Sequence, residues 1–114
     1  MRFMDCIFCK IINGEIPSEK VFESENIFAF LDINPKAKVH VLVVPKKHIE
    51  SVKHLEGSDE KIMGELILVA KKIAEEKKLA GYKLIFNAGR EGGQLVDHLH
   101  LHLVSPDVKC EHRI

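Results

Sequence analysis

The stretch His98-Leu99-His100-Leu101-His102-Leu103-Val104 holds three of the seven histidines in the chain. Its strict alternation is that of a β-strand, in which successive side chains point to opposite faces of a sheet. On that reading Leu99, Leu101 and Leu103 face a core, while His98, His100 and His102 line the other face as a row of imidazoles. Neighbours in the row stand about 6.5–7 Å apart and the outer pair about 13 Å apart, at roughly 3.3 Å rise per residue. A zinc ion with bonds of about 2.1 Å cannot take all three, so at least one has another task. Three chemistries fit the row. It is a solvated polar face, or two neighbours share a metal, or a neutral imidazole acts as a nucleophile on phosphorus. The unperturbed imidazole pKa of about 6.5 makes the last available near neutrality. Adjacent imidazoles would then orient the nucleophile and supply protons.

Working outward, the loop Asn87-Ala88-Gly89-Arg90-Glu91-Gly92-Gly93-Gln94 runs into the histidine stretch. Its glycines permit close backbone approach, and its amides could cradle phosphate oxygens; an ordinary hairpin connection explains the loop equally well. Residues 82–86 read as the strand before it. Residues 39–44 are β-branched and nearly all apolar, as a strand buried on both faces would be. Residues 20–24 and 26–31 read as two short strands around a polar turn. Ile62, Leu66, Val69, Ala70 and Ile73 mark one stripe of a long helix, expected to be capped by Ser58 and ended by Gly81. Ile7, Phe8, Ile11 and Ile12 mark a short helix before Asn13-Gly14. These elements predict an α+β domain, a five-stranded antiparallel sheet with one long and one short helix.

Composition narrows the class. At 114 residues the expectation is one domain spanning 1–114. Seventeen basic and seventeen acidic residues cancel, so no basic field gathers extended nucleic acid, and a small ligand is the better partner. No apolar run approaches the roughly 20 residues of a membrane span, and the first residues lack a signal-peptide core. The three cysteines include Cys6 and Cys9, spaced as thiols or metal ligands of a reducing, cytoplasmic compartment. No strand precedes Cys6, which argues against a thioredoxin-like redox motif, and an all-thiolate iron–sulfur cluster needs four cysteines. Two cysteines with two histidines suit zinc; two reduced buried thiols are the plain alternative.

The row His98 to Val104 resembles the signature of the histidine-triad superfamily. Four further segments share the resemblance: Ile7-Phe8-Cys9-Lys10-Ile11-Ile12, Phe30-Leu31-Asp32-Ile33-Asn34-Pro35, His40-Val41-Leu42-Val43-Val44-Pro45-Lys46-Lys47-His48, and the loop from Asn87 onward. Their order is similar to that in the branch of histidine triad nucleotide-binding proteins that act as purine nucleoside phosphoramidases.

The resemblance implies that His100 attacks the α-phosphorus of a nucleoside phosphoramidate or acyl nucleotide. A covalent nucleotidyl-histidine then forms, and water releases AMP or GMP. It implies that His102 and His40 line the phosphate and orient the nucleophile, and that Asp32 holds the ribose diol. Asn87 and the backbone around Gly93 and Gln94 would contact phosphate, and Ile7, Phe8, Ile11, Phe30 and Ile33 would hold the purine. It further implies a homodimer and a structural zinc ion on Cys6, Cys9, His48 and His98. Two features depart from the branch. Leu95 stands where many relatives carry a leaving-group serine, and the tail from Ser105 to Ile114 lacks the branch's Gly-Gly and Trp-Pro elements. Competing readings are a nucleotide-binding regulator with negligible turnover, a dinucleoside polyphosphate hydrolase and a zinc-dependent hydrolase.

Overall fold

Strands β1 (Lys20–Glu23), β2 (Ile27–Leu31), β3 (Val39–Pro45), β4 (Lys83–Phe86) and β5 (Leu101–Ser105) form one sheet in the order β1-β2-β3-β5-β4. Every pairing is antiparallel. A short helix α1 (Ile7–Ile12) precedes the sheet, and a long helix α2 (Glu60–Glu76) lies between β3 and β4. The computed structural model describes residues 6–106. The fold is the α+β arrangement expected from the sequence, and no helix among the described residues is long and apolar enough to cross a membrane.

Side-chain alternation sorts the sheet into two unlike faces. Ile27, Ala29, Val41, Val43, Leu101 and Leu103 pack against Leu66, Ala70, Ile73 and Ala74 of α2. The opposite face carries Phe28, Phe30, Leu42 and Val44, which pack with Cys6 and Phe8 under α1. Strand β3 sits between β2 and β5 and is buried on both faces, which explains its unbroken apolar composition. Because α1 is only six residues long, it covers part of its face and leaves the region above β5 and β4 as an open cleft.

Two boundaries differ from expectation. Strand β5 begins at Leu101, so His98 and His100 precede it. The ladder stops there because β4 ends at Phe86, and on the other side Pro45, which would face Leu99, has no N–H to donate. Leu99 donates its N–H instead to the Ile49 carbonyl at 2.7 Å. The alternation nevertheless continues past the strand end, since Leu99 shares the core of Leu101 and Leu103.

Helix α2 starts after a 3₁₀ turn, Gly57–Asp59, and the buried Asp59 carboxylate, not Ser58, accepts the Glu56 N–H at 2.9 Å. It ends at Glu76, well before Gly81. Lys78 takes the left-handed conformation (φ 56), Leu79 N–H reaches the Ala74 carbonyl and Lys78 N–H that of Glu75, both at 3.0 Å. That is the Schellman pattern, and burying Leu79 against the core drives it although no glycine is present.

Candidate active site and metal cluster

Hydrogen bonds to backbone groups decide which nitrogen of each ring carries its proton. A carbonyl only accepts, so a ring nitrogen bonded to one must be the N–H. His100 Nδ1 lies 2.7 Å from the His98 carbonyl and donates to it, which leaves the lone pair on Nε2. The ring is 8% exposed and stands edge-on to Phe8, with centroids 5.1 Å apart. Burial holds His100 below the ordinary imidazole pKa, against the opposing effects of the His98 carbonyl and Asp32. The neutral ring is therefore its resting form at pH 7.

His40 is arranged the other way. Its Nδ1 accepts the Lys36 amide N–H at 3.0 Å, so Nε2 is the protonated atom. That Nε2 faces His102 Nδ1 at 2.9 Å and an Asp32 carboxylate oxygen at 3.5 Å. Donation to His102 Nδ1 leaves the neutral His102 with its proton on Nε2. This buried N–H has no partner among the described residues. Burial, with His100 and His40 close by, holds His102 down to about 4. The chain of bonds from Lys36 through His40 thus presents a donor beside the acceptor of His100, whose ring centroid is 4.9 Å from that of His102.

A cavity of about 830 Å³ opens over these rings, within the usual range for a small-molecule site. His40, His100 and His102 line it together with Asp32, Asn87 and Gly93. Ile7, Phe8, Ile11, Phe30 and Ile33 form apolar wall. Phe8 and Phe30 are buried edge-to-face, whereas Ile33 is 87% exposed at the rim. Asp32 is steadied by the Asn34 N–H, which its Oδ1 accepts at 2.8 Å.

Gln94 is the one expected nucleotide contact that does not line the cavity; it is buried beneath the loop. The N–H groups of Gly93 and Gln94, expected to face phosphate, already donate to the Arg90 and Gly89 carbonyls at 3.0 Å. Compact loops satisfy their own donors first. The sequence reading also missed Lys83 and Ile85, which line the cavity from β4. Their period of two was visible, but only the pairing of Ile85 with His102 puts them beside the histidines. Leu95 lines the rim and is 82% exposed.

On the other side of Phe8, Cys6, Cys9, His48 and His98 bring four ligand atoms within 4.8 Å of one another. Cys6 caps α1, its sulfur accepting the Cys9 N–H at 3.4 Å, so the helix start sets the Cys-x-x-Cys geometry. His98 Nε2 donates to the Pro45 carbonyl at 2.8 Å and turns the Nδ1 lone pair toward Cys6 at 3.3 Å and Cys9 at 3.6 Å. His48 Nδ1 is 3.4 Å from Cys9 Sγ. A tetrahedron with zinc bonds of about 2.0–2.3 Å has edges of roughly 3.3–3.8 Å, so these separations suit zinc. Burial and the neighbouring Cys6 push the Cys9 thiol up to about 12, and burial holds His98 at about 4. A site that disfavours bare thiolates but keeps its imidazole neutral is one that a divalent cation would complete. Asp32, His40 and His102 also converge within 4.8 Å. There the Lys36 amide occupies His40 Nδ1, which forces the proton onto the nitrogen a metal would need, and the trio is a proton-bearing chain.

Known proteins resemble this chain in sequence and in fold. The family profile described as scavenger mRNA decapping enzyme C-term binding matches residues 5–113. An uncharacterised HIT-like protein of Methanocaldococcus jannaschii is 48% identical over 101 residues, covering 87% of this chain and 77% of the relative. The purine nucleoside phosphoramidase of Escherichia coli K12 is 44% identical over 102 residues, covering 88% of this chain and 86% of that enzyme. The solved structure of a histidine triad protein from Clostridium difficile superposes with a TM-score of 0.92 at 45% identity, covering 99% of this chain and 100% of that one. The chain therefore belongs to the histidine-triad (HIT) family.

Proposed function

We propose that the protein is a hydrolase that releases a purine nucleoside monophosphate, AMP or GMP, from phosphoramidate or acyl-nucleotide substrates. The observation that carries this reading is the pair of opposite tautomers on one cavity: an open acceptor on His100 Nε2 and an unpartnered donor on His102 Nε2. The similarity to the E. coli purine nucleoside phosphoramidase supports the same reaction class.

The reaction follows from those protons. His100 Nε2 attacks phosphorus, and the bond from phosphorus to the leaving nitrogen or oxygen breaks. A leaving carboxylate needs no proton and a leaving amine takes one from water, while His102 Nε2–H donates a hydrogen bond to the phosphoryl oxygen and the nucleotide stays bonded to His100. Water then attacks the same phosphorus, the bond to Nε2 breaks, and the water's spare proton passes to solvent. His40 holds His102 in the donating tautomer and Asp32 offers two acceptor oxygens to a ribose diol. Phe8, Phe30, Ile7, Ile11 and Ile33 would cover the purine, and Asn87 would meet the phosphate from the loop side.

Cys6, Cys9, His48 and His98 would hold a zinc ion, which supplies a cross-link between α1, the segment after β3 and the segment before β5. Reduced thiols in such a site suit the cytoplasm. One domain would carry both sites, and the protein would work as a homodimer. The exposed Tyr82, Leu84 and Ile85 on the β4 edge, with Ile67 and Leu68 on α2, offer the apolar surface for a second copy. Leu95, which brings no hydroxyl to the rim, favours a second reading as a nucleotide-binding regulator with negligible turnover.

Rapidly quenched enzyme, mixed with adenosine phosphoramidate and mapped by mass spectrometry, tests the main reading. A mass increase of one AMP on the peptide containing His100, absent in His100→Ala, supports it. Tight AMP binding without turnover or adduct favours the regulator.

A further inference from the structure

The buried position of Gln94 gives it a role that lining the cavity would not. It is 2% exposed, and every polar atom of its carboxamide is engaged. Its Oε1 accepts the Gly89 N–H at 2.8 Å. Its two N–H groups donate to the Glu50 carbonyl at 2.7 Å and the Val96 carbonyl at 2.8 Å. One side chain therefore joins the start of the loop, the chain just beyond it and the segment that follows β3.

The loop needs such a tie. Gly89 and Gly93 take φ values of 78° and 92°, a reversal that suits glycine. No residue from 87 to 93 belongs to either apolar core. Its second clamp, Arg90 to the Gln94 carbonyl at 2.6 Å and to Asp97 at 2.9 Å, lies on an exposed side chain, where water weakens it. What the loop presents to the cavity is Asn87 and Gly93, which are neighbours: a Cβ on Gly93 would stand in ordinary contact with the Asn87 amide, at 3.8 Å.

We propose that Gln94 is a positioning residue for the phosphate end of the site, tying the Gly89–Gly93 turn to the Glu50 backbone so that Asn87 and Gly93 stay on the cavity wall. The inference rests on the nucleotide reading above. Gln94 touches no substrate and acts only through those two residues. Its loss is felt by ligands that carry a phosphate and not by those that lack one.

The test is calorimetric binding of AMP and of adenosine to wild type and Gln94→Met, which keeps the volume and removes the bonds. The variant is held at a temperature where circular dichroism shows it folded. AMP affinity is expected to fall about tenfold or more, from loss of ordered contacts at the phosphate, with adenosine affinity unchanged. On adenosine phosphoramidate, kcat/KM falls by at least the same factor. Equal losses for AMP and adenosine, or no loss for either, would overturn the proposal. If Gln94→Met does not fold, Gln94→Glu, which retains the bond to Gly89 but loses both carbonyl bonds, takes the same test. Wild type that binds AMP without turnover refutes the proposed reaction, and the positioning role then stands or falls on the AMP-to-adenosine ratio. Wild type without AMP affinity refutes both.

Discussion

His98 and His100 are two residues apart, nearly buried, and both in edge contact with Phe8. Each has one ring nitrogen bonded to a backbone carbonyl. In His98 the Pro45 carbonyl takes Nε2, and the remaining lone pair on Nδ1 points at two cysteines. In His100 the His98 carbonyl takes Nδ1, and the remaining lone pair on Nε2 is left for the cavity. In the proposed roles the same side chain would serve as a metal ligand or as a nucleophile according to which nitrogen a neighbouring carbonyl captures.

The comparison is broken most sharply at its reactive half. His100→Gln is expected to lower turnover on the order of 10³-fold or more while AMP affinity stays within about threefold. Steady-state kinetics beside calorimetry measures both, and a variant with a tenth of wild-type activity removes His100 as nucleophile. The metal half should respond in stability instead. Cys9→Ser, or a strong chelator, is expected to lower the thermal midpoint by about 10 °C or more as bound zinc is lost. Elemental analysis and thermal melts check this. If activity vanishes with zinc while the midpoint holds, the division of labour between the two rings is wrong.

A smaller effect sharpens the relay. His40→Ala frees His102 to change tautomer and is expected to lower kcat by roughly 10- to 100-fold with little change in the midpoint. Unchanged kcat would show that His102 needs no partner to hold its proton on Nε2. The smallest effect concerns pH. Burial lowers the pKa of His40, and holds that of His102 at about 4, while Asp32 opposes both shifts. Below about 6.5 the unfolded chain binds protons that these folded rings refuse, so stability is full above that pH and falls as pH drops toward 4. The midpoint should fall by roughly 5 °C between pH 7 and pH 5, and by less in His102→Gln. An equal fall in both proteins would assign the dependence to other groups.

Much of this was legible beforehand because period-two and period-four patterns record which side chains avoid water. The leucines of the histidine run and the stripe on α2 became one core as expected. The ends of elements were less legible. The stop of α2 depends on where Leu79 finds apolar cover, and the start of β5 on where β4 ends and Pro45 leaves β3 without a donor. The resemblance implies phosphate contact for the backbone around Gln94 and says nothing of its side chain, whose three hydrogen bonds, reaching as far as Glu50, exist only in the folded chain.

From the residues alone came the alternating faces, the absence of a charge field, the Cys-x-x-Cys pair and the rule that one strand cannot give three histidines to one ion. Those depend on local geometry and composition, which travel with the chain. Which nitrogen of each imidazole is protonated depended on the Pro45 carbonyl, the His98 carbonyl and the Lys36 amide, and on Phe8 packing between the two sites. Proton position follows from a hydrogen-bond partner, and partners as far apart in sequence as Pro45 and His98 meet only when the chain has folded.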